Sequence, residues 1–142
     1  MYKKIIVTLD RSDLAEQALS HAVAIAEAFG AAIELLMIVP VTDRDASHAV
    51  SVDWDAEIAE DEEYLAGVNS RVAEAGVEVH TELRRGNVAE EILHYVEKSD
   101  ADLIVMSTHG RSGRGRWVYG SIADRVLRHA SVPVLLIRAT EN

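Results

Sequence analysis

Residues Leu103–Ser121 read L-I-V-M-S-T-H-G-R-S-G-R-G-R-W-V-Y-G-S, and this stretch decides the fold. It begins with a four-residue apolar run, continues through a loop with four glycines and ends at Gly120-Ser121. From Ile122 to Ala130 apolar residues recur at helical spacing, which predicts a helix that begins at Ser121. A strand, a glycine-rich loop and a helix start form a layout suited to phosphate, because the first N–H groups of a helix have no partner within it. The stretch therefore predicts an anion site.

The composition bounds the class of protein. The 142 residues favour a single domain over residues 1–142, which can bury about 70% of the surface that the unfolded chain exposes. No apolar run approaches the roughly 20 residues of a membrane helix, and the run after Lys4 is too short for a signal peptide, so we expect a cytoplasmic protein. The absence of cysteine excludes disulfides, thiolate zinc sites and thiol nucleophiles.

Positive charge is scarce and locally concentrated. The net charge of −10 argues against a broad nucleic-acid surface, because duplex binding relies on Lys and Arg that neutralise phosphates. Arg111, Arg114 and Arg116 nevertheless lie together in the glycine-rich loop, which favours a site for one small anion. For Arg114 and Arg116 the alternatives stay open, namely solvated side chains or partners of acidic groups on a second subunit.

Apolar runs alternate with helical patterns along the whole chain. The predicted strands are 3–9, 32–39, 77–83, 103–107 and 132–137, and the predicted helices are 13–29, 54–75, 88–98 and 121–130. Such alternation is typical of a mainly parallel sheet with helices on both faces. The strict apolar–polar alternation of residues 77–83 places the third strand at an edge. The predicted fold class is α/β, a doubly wound five-stranded parallel sheet of order 3-2-1-4-5.

The fifth strand, Val132–Ile137, falls at the opposite edge and is apolar on both faces. An uncovered apolar edge favours pairing with another chain, and Pro133 is compatible with an edge position. We predict a homodimer through this strand. The alternative is that the last helix or the C-terminal tail covers it.

Two helices carry predictions about their buried faces. In the first, the inward face extends to Phe29 and Gly30 ends the helix. In the second, the inward face includes Trp54 and Leu65, and acidic residues cover the opposite face: Asp55, Glu57, residues 60–63 and Glu74. We interpret these acids as a solvated surface rather than as metal ligands. Residues 40–53 lack a period and are predicted to form a long loop.

Topology and composition select the same place for a ligand. In an open α/β sheet, ligands bind beyond the carboxyl ends of the strands where the strand order reverses, here between the first and fourth strands. The connections that leave these strands are residues 8–12 and 107–120, and Asp10 would face the glycine-rich loop. Two common motifs are absent: no G-x-x-x-x-G-K-[ST] occurs, and Val118 stands where a dinucleotide fingerprint starting at Gly113 needs its third glycine.

Three segments resemble one known family. Two of them look like a universal stress protein: Thr8-Leu9-Asp10-Arg11-Ser12, and Ser107-Thr108-His109-Gly110 separated by nine residues from Gly120-Ser121. The stretch S-V-P-V-L-L-I at residues 131–137 resembles the terminal strand of that family. The resemblance spans the chain in element order and implies a Rossmann-like fold of the adenine-nucleotide alpha-hydrolase type.

The resemblance to the nucleotide-binding branch of the family implies ATP as ligand, with Mg or Mn carried by the phosphates, and often a dimer. Asp10 matches the position near adenosine, and Ile38 and Val39 match backbone positions beside the base. Met106 and Ser107 match the passage along the ribose. The implied binding residues are Thr8, Leu9, Asp10, Ile38, Val39, Met106, Ser107, His109, Gly110, Arg111, Gly120, Ser121 and Ile122. The sequence marks no dedicated metal cage and no catalytic residue.

One position departs from the family's G-x-x-G-x9-G-[ST] pattern, because Ser107 replaces its first glycine. A serine adds a Cβ and a hydroxyl where the backbone approaches the ligand. It therefore either clashes with the nucleotide or forms a hydrogen bond to its ribose or a phosphate. We expect the site to tolerate it. The main reading is an ATP-binding regulatory protein of the stress response. Two alternatives stay open: a slow Mg-dependent ATPase with Asp10 and His109 as acid–base groups, and a nucleotide-free dimeric interaction module with a plain surface loop.

Overall fold

The computed structural model describes residues 1–41, 54–108 and 120–138. Within these residues strands and helices alternate: β1 (Lys4–Leu9), α1 (Asp13–Phe29), β2 (Ala32–Pro40), α2 (Trp54–Glu74), β3 (Val79–Gly86), α3 (Val88–Lys98), β4 (Leu103–Ser107), α4 (Ser121–His129) and β5 (Val134–Ile137). Among the helices of the described residues, none combines the length and the apolar character needed to span a membrane.

The strands form one sheet in the order β3-β2-β1-β4-β5, and every pairing is parallel. The predicted fold class and strand order are therefore confirmed. β1 lies at the centre, where Ile5, Ile6 and Val7 are fully buried. Both of its faces are covered, which explains why its sequence reads as a continuous apolar run rather than an alternation.

Helices cover the sheet on both faces and divide the core into two clusters. Ile5, Val7 and Leu9 point to the face covered by α1 and α2, whereas Ile6 points to the face covered by α3 and α4. The strands at the switch point, β1 and β4, contribute to both clusters. Their carboxyl ends are thus held from both sides, which fixes the positions of the loops that follow.

Two strand boundaries differ from the predictions by two residues or more, and one side chain predicted to face inward is exposed. β3 begins at Val79 and continues to Gly86, because its last three residues pair with the end of β2, Ile38–Pro40. β5 begins at Val134 rather than Val132. Phe29 is 49% exposed instead of inward, and its ring stands edge-on to Tyr2 with the ring centroids 5.3 Å apart.

The acidic face of α2 also differs from the prediction. Glu60, Glu62 and Glu63 are exposed as expected, but Asp61 is only 5% exposed. It lies one turn before the buried Leu65, so it belongs to the inward stripe of the helix. Most of the predicted 40–53 loop, from residue 42 on, and the side chains of Trp54 and Asp55 lie outside the described residues.

Candidate functional site

A cavity of about 250 Å³ opens where the carboxyl ends of β1, β2 and β4 meet. Helices α1 and α2 close one side, and α3 and the first residues of α4 close the other. The cavity therefore lies at the reversal of strand order between β1 and β4, as the topology predicts. Most of its wall is apolar, with a few polar groups from the strand ends, which is the usual character of a small-molecule site.

The turn from β1 into α1 supplies the first polar group. The Asp10 carboxylate accepts hydrogen bonds from the Ser12 backbone N–H (3.0 Å) and from the Ser12 hydroxyl (2.5 Å). The same hydroxyl oxygen accepts from the Ala15 N–H at 3.0 Å and so caps α1. Ser12 thus fixes both the start of the helix and the position of the Asp10 carboxylate in the cavity wall.

Replacing Ser12 with alanine removes the cap of α1. We expect Ser12→Ala to lower the free energy of unfolding by about 1 kcal/mol, measured by urea denaturation, because an N–H of the first turn loses its acceptor. Ser20→Ala is the matched control. The Ser20 hydroxyl is exposed and donates to the Gln17 carbonyl of its own helix at 3.2 Å, so the expected change is within about 0.5 kcal/mol. Equal stabilities of Ser12→Ala and the unmutated chain would contradict the capping role.

The end of β4 and the start of α4 supply the second polar group of contacts. The Gly120 N–H donates to the Thr108 carbonyl at 2.8 Å, and the Thr108 N–H donates to the Ile137 carbonyl at 3.0 Å. The two ends of the glycine-rich loop are therefore joined to each other and to β5. Gly120 precedes α4 without a side chain that could cap it, so the first turn presents backbone N–H groups at the cavity. This is the geometry in which helix N-termini bind anions.

Helix α2 contributes two carboxylates that were predicted to face solvent, Glu57 and Asp61. The Arg11 Nε lies 3.0 Å from Asp61 Oδ1, and Arg11 Nη1 lies 3.5 Å from Glu60 Oε2. Arg11 has φ of 69°, a left-handed conformation that is uncommon for a residue with a side chain. The sequence feature that indicates a buried Asp61 is its position four residues before Leu65, on the apolar stripe of the helix.

Two side chains of α2, Tyr64 and Arg71, interact with Glu16 of α1 on this side of the site. The Arg71 guanidinium forms an ion pair with Glu16 at 2.6 Å. Burial, and then the neighbouring Glu16 carboxylate, raise the pKa of the Tyr64 hydroxyl well above its usual range. Tyr64 therefore stays neutral at physiological pH, and it packs against the core cluster between the two helices.

Ten of the thirteen predicted binding residues line this one cavity: Thr8, Leu9, Asp10, Ile38, Val39, Met106, Ser107, Gly120, Ser121 and Ile122. The other three, His109, Gly110 and Arg111, lie outside the described residues, as do Arg114 and Arg116. Ser107 is buried in the cavity wall. Its tolerance by a nucleotide stays a prediction, and so does the assignment of the other residues to a ligand.

The model of the universal stress protein family matches residues 1–138. The chain belongs to the universal stress protein family. A universal stress protein of Methanocaldococcus jannaschii is 38% identical, the alignment covering 97% of this chain and 83% of that protein. The relative YxiE of Bacillus subtilis is 28% identical over 97% of this chain and its own full length.

Solved structures of the family share the fold. UspA of Lactobacillus plantarum is 30% identical, with a TM-score of 0.85 over 96% of this chain and 98% of that one. A universal stress protein of Archaeoglobus fulgidus, solved in complex with dAMP, is 25% identical, with a TM-score of 0.71 over 96% of this chain and 98% of that one. The resemblance stated from the sequence, and the fold that it implies, are confirmed.

Proposed function

We propose that this universal stress protein binds ATP in the cavity between β1 and β4 and acts as a homodimeric regulatory protein of the stress response. One observation carries the proposal: a mostly apolar cavity at the switch point is lined by Asp10 and by the start of α4, which no side chain of the described residues caps. An aromatic base needs an apolar surface, and a chain of phosphates needs N–H donors such as those at a helix start, so both kinds of surface are required in one site.

The apolar wall suits a base. Leu9, Ile38, Val39 and Met106 come from three adjacent strands, and Ile92 reaches the cavity from α3. Burial of an aromatic ring against such side chains supplies binding free energy, while a few polar groups fix its orientation. Ile38 and Val39 belong to the last residues of β2, beyond Met37, the last residue that pairs with β1, and both line the cavity.

The start of α4 suits the phosphates. Ser121 would offer its hydroxyl and, with Ile122, backbone N–H groups, and the dipole of α4 favours negative charge there. A wider groove of about 620 Å³ adjoins the cavity through Pro40, Val88, Ser121 and Ile122. It gives room for a triphosphate, since the inner cavity of about 250 Å³ is below the roughly 300 Å³ of the smallest ligand sites.

The metal would reach the site with the nucleotide. Within the part of the chain that the structure describes, no group of three or more His, Asp or Glu side chains could hold a metal ion. Mg or Mn carried by the phosphates would need no such group, because Mg²⁺ keeps several waters and takes substrate phosphates as ligands. The dAMP complex of the A. fulgidus relative supports an adenine nucleotide as the ligand class.

The experiment that tests this function is nucleotide release. The purified protein is denatured by heat, and the supernatant is analysed by ion-exchange chromatography. We expect ATP or ADP in an amount approaching one per chain. An empty extract from folded protein that also fails to bind added ATP would contradict the proposal and favour a nucleotide-free interaction module. If the unmutated chain releases phosphate from ATP and Gly120→Val abolishes that release, the protein is an ATPase as well.

A further inference from the structure

Asp61 stands at a position where the pattern of α2 calls for an apolar side chain. It precedes Leu65, Val68 and Val72 on the buried stripe of that helix and is only 5% exposed. A carboxylate so deeply buried is costly unless it is paired or used. Asp61 also lines the cavity, so its carboxylate lies at the wall that a ligand would contact.

The partner of Asp61 is held in an unusual conformation. Arg11 reaches Asp61 with its Nε, 3.0 Å from Oδ1, from a backbone at φ of 69°. A left-handed backbone is unfavourable for arginine, and a buried ion pair adds little stability compared with apolar residues of the same size. Arg11 lines the same cavity. A buried carboxylate and a left-handed arginine are both unfavourable for folding, and both residues line one cavity. We therefore expect them to serve binding rather than folding.

The position of Asp61 along the cavity determines which part of a ligand it meets. α2 packs against β2 and β3, whereas α4 packs against α3 and β5. A nucleotide with its phosphates at the start of α4 and its base beside Ile38 and Val39, as proposed above, would bring the base to β2, the strand against which α2 packs. At that end the described wall carries the carboxylates of Asp10, Glu57 and Asp61, and ionised carboxylates only accept hydrogen bonds.

We propose that Asp61, positioned by Arg11, is a specificity-determining residue that selects a base presenting an amino group over one presenting a carbonyl oxygen at the same position. The inference rests on the nucleotide function proposed above and adds to it a residue of α2. An amino group donates to the carboxylate in a charge-assisted hydrogen bond, whereas a carbonyl oxygen meets it as a second acceptor. The chemical class selected is a 6-amino purine nucleotide.

The test compares ATP with inosine triphosphate, in which a carbonyl oxygen replaces the amino group of the purine. Affinities of the full chain for both are measured by isothermal titration calorimetry, and their ratio is the readout. We expect the unmutated chain to prefer ATP by about tenfold or more, the usual value of a hydrogen bond to a charged group. Asp61→Asn should lower this preference by about tenfold, because an amide can donate to the carbonyl oxygen.

Glu60→Gln is the matched control. Glu60 belongs to the same helical turn and contacts the same guanidinium, but its side chain is 68% exposed and it is not part of the described cavity wall. The substitution removes the same charge and should change the ratio by less than about twofold. If the role of Asp61 were purely structural, Asp61→Asn would weaken the binding of both nucleotides equally and leave the ratio of their affinities unchanged.

The outcomes separate the inference from the function on which it rests. An unmutated chain that binds neither nucleotide overturns both. If the unmutated chain binds ATP and Asp61→Asn keeps the same preference for ATP over inosine triphosphate, only the role of Asp61 is overturned. If Asp61→Asn fails to fold, Arg11→Lys replaces it, because an ammonium keeps the positive charge beside Asp61 while the contact from Nε is lost. That variant should lower the preference by about threefold or more, and an unchanged preference would overturn the inference.

Discussion

Gly120→Val is expected to weaken ATP binding by about a hundredfold or more, because the N–H groups of Ser121 and Ile122 would lose their hydrogen bonds to charged phosphate oxygens, each worth about tenfold or more. A Cβ at residue 120 would lie 3.0 Å from the Thr108 carbonyl oxygen, which is closer than real Cβ atoms comfortably approach. The Gly120 N–H donates to the same carbonyl, so the contact cannot open without breaking that hydrogen bond. The start of α4 must then move, and its N–H groups leave the position proposed for the phosphates.

Gly67→Val controls for the change of residue type. Gly67 lies in α2, and a Cβ there meets nothing within 4 Å. We expect this variant to bind ATP within about twofold of the unmutated chain, since surface substitutions change local free energies little. Calorimetric titration measures both affinities, and circular dichroism checks that both variants fold. A folded Gly120→Val that binds ATP as tightly as the unmutated chain would contradict the placement of the phosphates.

Val134→Pro is expected to convert the proposed homodimer into monomers. β4 bonds to the carbonyls of Pro133 and Ile137, because Ile104 and Thr108 donate to them. In a β-strand the N–H and C=O of one residue point to the same side, and successive residues alternate between sides. The N–H and C=O of Val134 and Leu136 therefore point away from β4, to the free edge of the sheet. Proline at residue 134 removes an outward N–H while a proline is still tolerated by an edge strand. A partner strand that pairs with this edge loses a hydrogen bond and meets the proline ring.

Light scattering coupled to size-exclusion chromatography at micromolar concentration measures the mass. Val134→Ala is the control, because it shortens the same side chain but keeps the N–H, and it should stay dimeric. A monomeric unmutated chain would show that the homodimer proposal is wrong. A dimeric Val134→Pro would place the interface on another surface than the β5 edge.

The fold was predictable because its elements have strong periodic signals. The buried runs at β1 and β4 and the alternation that places β3 at an edge give the strand order without reference to long-range contacts. Boundaries depend on partners that the local sequence does not reveal. β3 extends to Gly86 because β2 continues to Pro40, which offers further residues to pair with.

The candidate site was predictable at the strand ends but not on α2. Asp10, Ser107 and Gly120 follow from the switch point, which is a property of topology. Asp61 does not, because a run of acidic residues on a helix is ordinarily solvated and the partner Arg11 lies fifty residues earlier. Arg11 itself gave no signal, since a left-handed arginine is not encoded by any local pattern.

Two-dimensional ¹H–¹⁵N NMR of the full chain with added ATP and Mg tests most directly whether this cavity is the nucleotide site. We expect saturable shifts of the amides of Asp10, Val39, Ser121 and Ile122, which surround the cavity, with no comparable shift at His80 in β3. Shifts that do not saturate, or that avoid the ends of β1, β2 and β4, would contradict an ATP site between β1 and β4.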